Sequence, residues 1–112
     1  MEIVPGPVPV VRVVGELDLS NAARLCRAIH AAASDSPRPR LMIDLTELEF
    51  CDSTGLRALI GAVRELEIGG GKAALAVIPG GSLDRLLQLT GLHEFTRIAD
   101  SPTAALQRLG AG

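Results

Sequence analysis

Between Leu41 and Ile78 the chain alternates in a way that leaves few folds open. A short apolar run is followed by a tight turn, an amphipathic stretch, a glycine turn and a second apolar run. The first run, Leu41 to Leu45, is short and nearly continuous, as in a central strand covered on both faces. After Asp52-Ser53-Thr54-Gly55, the residues Leu56, Leu59, Ile60, Val63 and Leu66 recur at helical spacing. Arg57, Arg64, Glu65 and Glu67 fall on the opposite side of that helix. Gly69-Gly70-Gly71 offers the positive-φ freedom that ends a helix, and Ala73 to Ile78 reads as another buried strand. Strand, helix and strand in this order imply parallel neighbours joined by a right-handed crossover.

The flanking segments extend the pattern. Pro5, Pro7 and Pro9 break residues 1–9, which can form an edge strand at best. Val10 to Val14 is rich in β-branched residues and predicts a strand running into Gly15. GELDLSNA then supplies a turn and a helix start, with Asp18 or Ser20 able to cap a helix carrying Ala23, Leu25, Cys26, Ile29 and Ala32. Residues 34–39 are a loop by composition. Pro79-Gly80-Gly81-Ser82 is a turn and cap before a helix through Leu83, Leu86, Leu87 and Thr90, which Gly91 stops. Phe95 to Ile98 predicts a short last strand. Ser101-Pro102 opens a final helix, with Pro102 at the first helical position, where its missing N–H does no harm. The expectation is an α/β fold over residues 1–112 as one domain, with four helices packed mostly on one side of the sheet.

Composition narrows the function. Aromatic residues are 2% of the chain, with no Trp or Tyr, so stacking platforms for bases or sugars are essentially absent. A net charge of −2 gives no electrostatic footprint for nucleic acid. The pairs Arg24/Arg27 and Arg38/Arg40 are short and read as a solvated helix face and a solvated loop. No apolar run approaches the roughly 18 residues of a membrane span, and the proline-rich start lacks a cationic signal-peptide region. Cys26 and Cys51 read as buried reduced thiols. The expectation is a cytoplasmic protein, without a cofactor and without direct contact to membrane or nucleic acid, and monomeric when free.

Several catalytic readings fail on spacing. Asp52-Ser53-Thr54-Gly55 departs from the aspartic-protease pattern because Thr54 separates the serine from the glycine. Cys51 stands where the hydrolase elbow G-x-S-x-G needs its first glycine, and neither His30 nor His93 is spaced as a base. GGGK at Gly69–Lys72 is followed by Ala73, so the magnesium-binding hydroxyl of a P-loop is missing. No cluster of His, Cys and carboxylates has metal-ligand spacing. What remains is the turn itself. Asp52, Ser53 and Thr54 are all competent N-caps, and capping alone leaves the crowding of two hydroxyls and a carboxylate unexplained. The other reading is an exposed acceptor hydroxyl for an external kinase, with Gly55 letting another protein approach closely. The chemistry leaves both open.

GELDLSNA, LMIDLTELEFCDSTGL, the GGGK turn and LDRLLQLTGLHEFTRI, in this order and spacing, resemble the STAS domain, and within it the bacterial anti-sigma factor antagonists. The resemblance runs from about Val10 to Leu109. It implies a mixed sheet of four to five strands under about four helices, and a switch in place of catalysis. It also implies two partners: an anti-sigma factor that is a Ser/Thr kinase, and a phosphatase that resets the switch. Carried over by position, the acceptor is Ser53, and the partner surface takes in Asp18, Ser20, Asn21, Asp52, Thr54, Gly55 and Arg57. Thr54 departs from the serine that many relatives carry there, and keeps a hydroxyl. The resemblance leaves a second kind of STAS module open. That module would bind a small ligand or serve as the cytoplasmic subunit of a membrane transporter, with Ser53 only a cap.

Overall fold

The computed structural model describes residues 1–34 and 36–110, so position 35 of the expected 34–39 loop lies outside the described residues. Five strands form a mixed sheet. Glu2–Val4 (β1) pairs antiparallel with Val10–Arg12 (β2), which runs parallel to Arg40–Asp44 (β4). Lys72–Ala76 (β6) and Arg97–Ala99 (β7) continue the sheet in parallel, giving the order β1-β2-β4-β6-β7. The helices are Ala22–Ala33 (α1), Ser53–Ile68 (α2), Ser82–Leu89 (α3) and Pro102–Gly110 (α4).

β4 and β6 are covered on both faces, as their near-continuous apolar sequences predict. Leu41, Ile43, Ala73, Leu75 and Val77 face a core shared with Leu25 and Ile29 of α1, Leu59 and Val63 of α2, and Leu87 of α3. Met42, Ala74, Ala76 and Ala99 face the other way, toward Ala105 and Leu109 of α4. Three helices therefore share one face and a single short helix covers the second. The alanines on that second face leave room for α4 to lie close to the strands. Pro102 begins α4, and the Ser101 hydroxyl accepts a hydrogen bond from Ala104 N at 3.1 Å, capping it. At the other end of α2, Gly70 takes φ +98°, and Gly71 N donates to Leu66 O at 3.0 Å to close the helix.

The structure departs from the sequence reading around residues 10–22 and 48–51. β2 stops at Arg12, and the chain then forms a separate strand, Gly15–Leu17 (β3), where a turn was expected. β3 pairs in parallel with Leu48–Cys51 (β5), a second two-stranded sheet. Neither strand carries a readable pattern: each is short and mixes charged with apolar residues, and each is held by its partner. Asp18 and Ser20 do not cap α1. Asn21 occupies that position, and its side chain bonds to the preceding loop in place of the helix amides. Arg40 is no solvated loop residue either: it opens β4 and donates to Leu109 O at 3.0 Å. No helix among the described residues is long and apolar enough to cross a membrane.

Candidate functional site

The β3–β5 pair sets the site. Leu17 lies opposite Cys51 in parallel register, so Asp18 and Asp52 leave the two strand ends side by side. Asp52 N donates to Leu17 O at 3.1 Å and locks the two exits together. Asp52 is extended (φ −85°, ψ 178°), and its carboxylate accepts from Gly55 N at 2.7 Å. Its carbonyl accepts from Leu56 N at 2.9 Å. Of the three competent caps in the turn, Asp52 is the one that caps.

Ser53 and Thr54 are then the first two residues of α2. Both are exposed, and neither hydroxyl has a hydrogen-bond partner among the described residues. Gly55 requires a correction. It is buried, and a Cβ there would press on the carbonyl oxygen of Leu17 and stand 2.7 Å from its carbonyl carbon. The close approach it permits is between α2 and β3 of this chain, and no outside surface reaches it. Without a side chain at this position, the helix start can lie against the end of β3, which brings Ser53 beside the Asp18 loop.

That loop is internally bonded. The Asp18 carboxylate accepts from Ser20 N at 2.9 Å and from the Ser20 hydroxyl at 2.5 Å. Asn21 accepts from Asp18 N at 2.9 Å and donates to Glu16 O at 2.8 Å, so both ends of its amide brace the loop. Arg57 is exposed one turn beyond Ser53, with no charged partner among the described residues.

Cys51 is half-buried, with its Sγ 3.5 Å from Asp52 O. Burial first, and the neighbouring Asp52 charge second, push its thiol up to about 11. It is therefore protonated at neutral pH and is no nucleophile. The imidazole of His30 lies 3.8 Å from Glu65, which is twelve residues along α2 from Ser53 and so about 18 Å away. His30 is thus placed far from the turn. The local arrangement presents two free hydroxyls and two carboxylates at a helix start. It can accept a group delivered from outside.

STAS domain sequences match residues 1–105 of this chain. The chain belongs to the STAS domain family. Among relatives of this STAS domain, an anti-sigma-F factor antagonist of Mycobacterium tuberculosis is 33% identical over 106 residues, spanning 94% of this chain and 84% of that protein. The crystal structure of an anti-sigma factor antagonist from Mycobacterium paratuberculosis superposes with a TM-score of 0.81 at 32% identity, over 97% of this chain and 92% of the other. The Bacillus cell fate determinant SpoIIAA in its phosphorylated form superposes with a TM-score of 0.65 at 25% identity, over 96% and 95%.

Within this STAS domain the sequence reading passed over two side chains beside the turn. Leu19 is 77% exposed in the Asp18 loop, and Phe50 is 55% exposed on β5. Both lie in segments without periodicity. Only the rarity of Phe, two in the chain, could have drawn attention to the second.

Proposed function

We propose that this STAS domain is an anti-sigma factor antagonist controlled by phosphorylation of Ser53. In its unmodified form it binds an anti-sigma factor that is also a Ser/Thr kinase, and so frees a sigma factor. The kinase transfers a phosphoryl group to the Ser53 hydroxyl, and a phosphatase removes it. The observation that carries this reading is the division of labour in the turn. Asp52 does the capping and leaves the Ser53 hydroxyl exposed and without a partner. The similarity to proteins named as anti-sigma factor antagonists supports the partner class.

Phosphorylation adds roughly −1.5 to −2 charges at pH 7. Next to Asp52 and Asp18 that charge reverses no existing contact of the fold, and it changes the surface a partner meets. The proposed partner surface combines the exposed Ser20, Ser53, Thr54 and Arg57 with the half-buried Asp18 and Asp52. Asn21 shapes the loop from inside.

The test uses the purified protein, ATP and the anti-sigma kinases of its host, with phosphopeptides mapped by mass spectrometry and complexes followed by calorimetry. Phosphate on Ser53, a stable complex before transfer, and a Ser53→Ala protein that binds but is not modified are the expected results. Phosphate on Thr54 alone, or equal binding by modified and unmodified protein, would overturn the reading.

A further inference from the structure

We propose that Arg57 is the counter-ion of a phosphate carried by Ser53, turning back along the first turn of α2 to hold it. This rests on Ser53 being the acceptor. Part of what the helix start could offer the phosphate is already used. The Asp52 carboxylate already takes Gly55 N, and the Asp52 carbonyl takes Leu56 N. The charged groups nearby are mostly acidic: Asp52 in the cap, Asp18 at the end of β3, and the exposed Glu16 and Glu49 on β3 and β5. The other cations of the two packed helices lie elsewhere. Arg24 and Arg27 of α1 line a cleft against β1 with Met1, Glu2 and Ile3, and Arg64 lies 4.8 Å over the Phe95 ring.

Arg57 shares their exposure and their lack of a charged partner among the described residues, and differs in place: it sits four residues after Ser53 on the same side of the helix. An acid placed four residues before a base is the favourable order for such a pair. A guanidinium can also meet two phosphate oxygens at once. The modification then does two things to the partner surface. It adds negative charge, and it withdraws the cation one helical turn from the acceptor.

The experiment uses the full chain with phosphoserine installed at position 53 during synthesis, so no kinase is needed. The second ionisation of the phosphate is titrated by 31P NMR in the wild type, Arg57→Gln and Arg64→Gln. A nearby cation favours the dianion and lowers its pKa, so removing Arg57 should raise that pKa by roughly 0.2–0.4 units. Arg64→Gln should leave it unchanged. Equal values in the wild type and Arg57→Gln would overturn the proposal, and so would an equal rise in Arg64→Gln, which marks a general field. Failure here leaves the choice of Ser53 as acceptor to the kinase assay, which tests it separately.

Discussion

Gly55 and Gly61 lie on the same helix and should respond in opposite ways to one added methyl group. A Cβ at Gly55 meets the backbone of Leu17, which cannot move without breaking the β3–β5 register. A Cβ at Gly61 meets nothing within 4 Å. Gly55→Ala should therefore cost roughly 3 kcal/mol of overpacking, while Gly61→Ala should gain about 0.5–1 kcal/mol of helix propensity. Urea unfolding of the two variants checks this, and similar values for both would sink it. Cys51 gives a second expectation at this scale. Its thiol is raised from 9.0 to about 11 in the fold, so the unfolded chain releases that proton first. Stability from this group is complete below about pH 9 and is lost as pH rises toward 11. The stability difference between the wild type and Cys51→Ala should shift against the wild type from pH 8.5 to 11, in steps of about 0.5. A difference independent of pH would show that the thiol ionises alike in both states.

Among the elements, α2 is tied at its far end by one side chain. The Glu67 carboxylate accepts from Ala73 N at 2.8 Å and lies 3.4 Å from Arg97, so it joins the helix to β6 and β7. Glu67→Ala leaves the buried Ala73 N–H without an acceptor and should cost about 1–3 kcal/mol. Glu67→Gln keeps an acceptor and should cost clearly less. Equal losses in urea unfolding would mean that the charge pair with Arg97 carries the effect. Helical spacing does mark Glu67: it falls four residues after Val63 and eight after Leu59, on the apolar stripe and not on the solvated face the sequence reading gave it, and its side chain is 13% exposed. Local pattern also explains what was legible elsewhere. β4, β6 and α2 announce themselves by runs or periods of apolar residues, and α4 by Ser101-Pro102. β3 and β5 are three and four residues long and are defined by each other across more than thirty positions, so local pattern carries no trace of them. The site divides in the same way. That a hydroxyl turn opens a helix after residue 51 is local and could be read. That Asp52 alone caps it, and that Gly55 packs on Leu17, depends on the missed β3–β5 pair.

For the molecule as a whole, the turn sits at one end of the fold and is separated from what holds the sheet together. The two cores run along the faces of β4 and β6, and Ser53 contributes to neither. The covering helix is already capped by Asp52, so the Ser53 side chain can change without removing a bond from the folded state. Ser53→Asp places a permanent carboxylate beside Asp52 at an exposed position. Surface changes of this kind stay within about 0.5 kcal/mol, which for a domain of this size is roughly 2–4 °C in melting temperature. Binding should respond on another scale. Like charge brought against a matched partner surface costs several kcal/mol, and about 3 kcal/mol is a hundredfold in affinity. Differential scanning calorimetry and titration of Ser53→Asp against the anti-sigma partner separate the two quantities. A melting temperature near wild type with affinity down a hundredfold or more is expected. Equal losses in both would mean that the turn is a structural joint, with the effect on binding following from a damaged fold. Affinity unchanged at an intact melting temperature would mean that the partner docks elsewhere. An end of the fold where charge can change while the cores stay intact is what a reversible switch requires, because each cycle must leave a protein able to bind again.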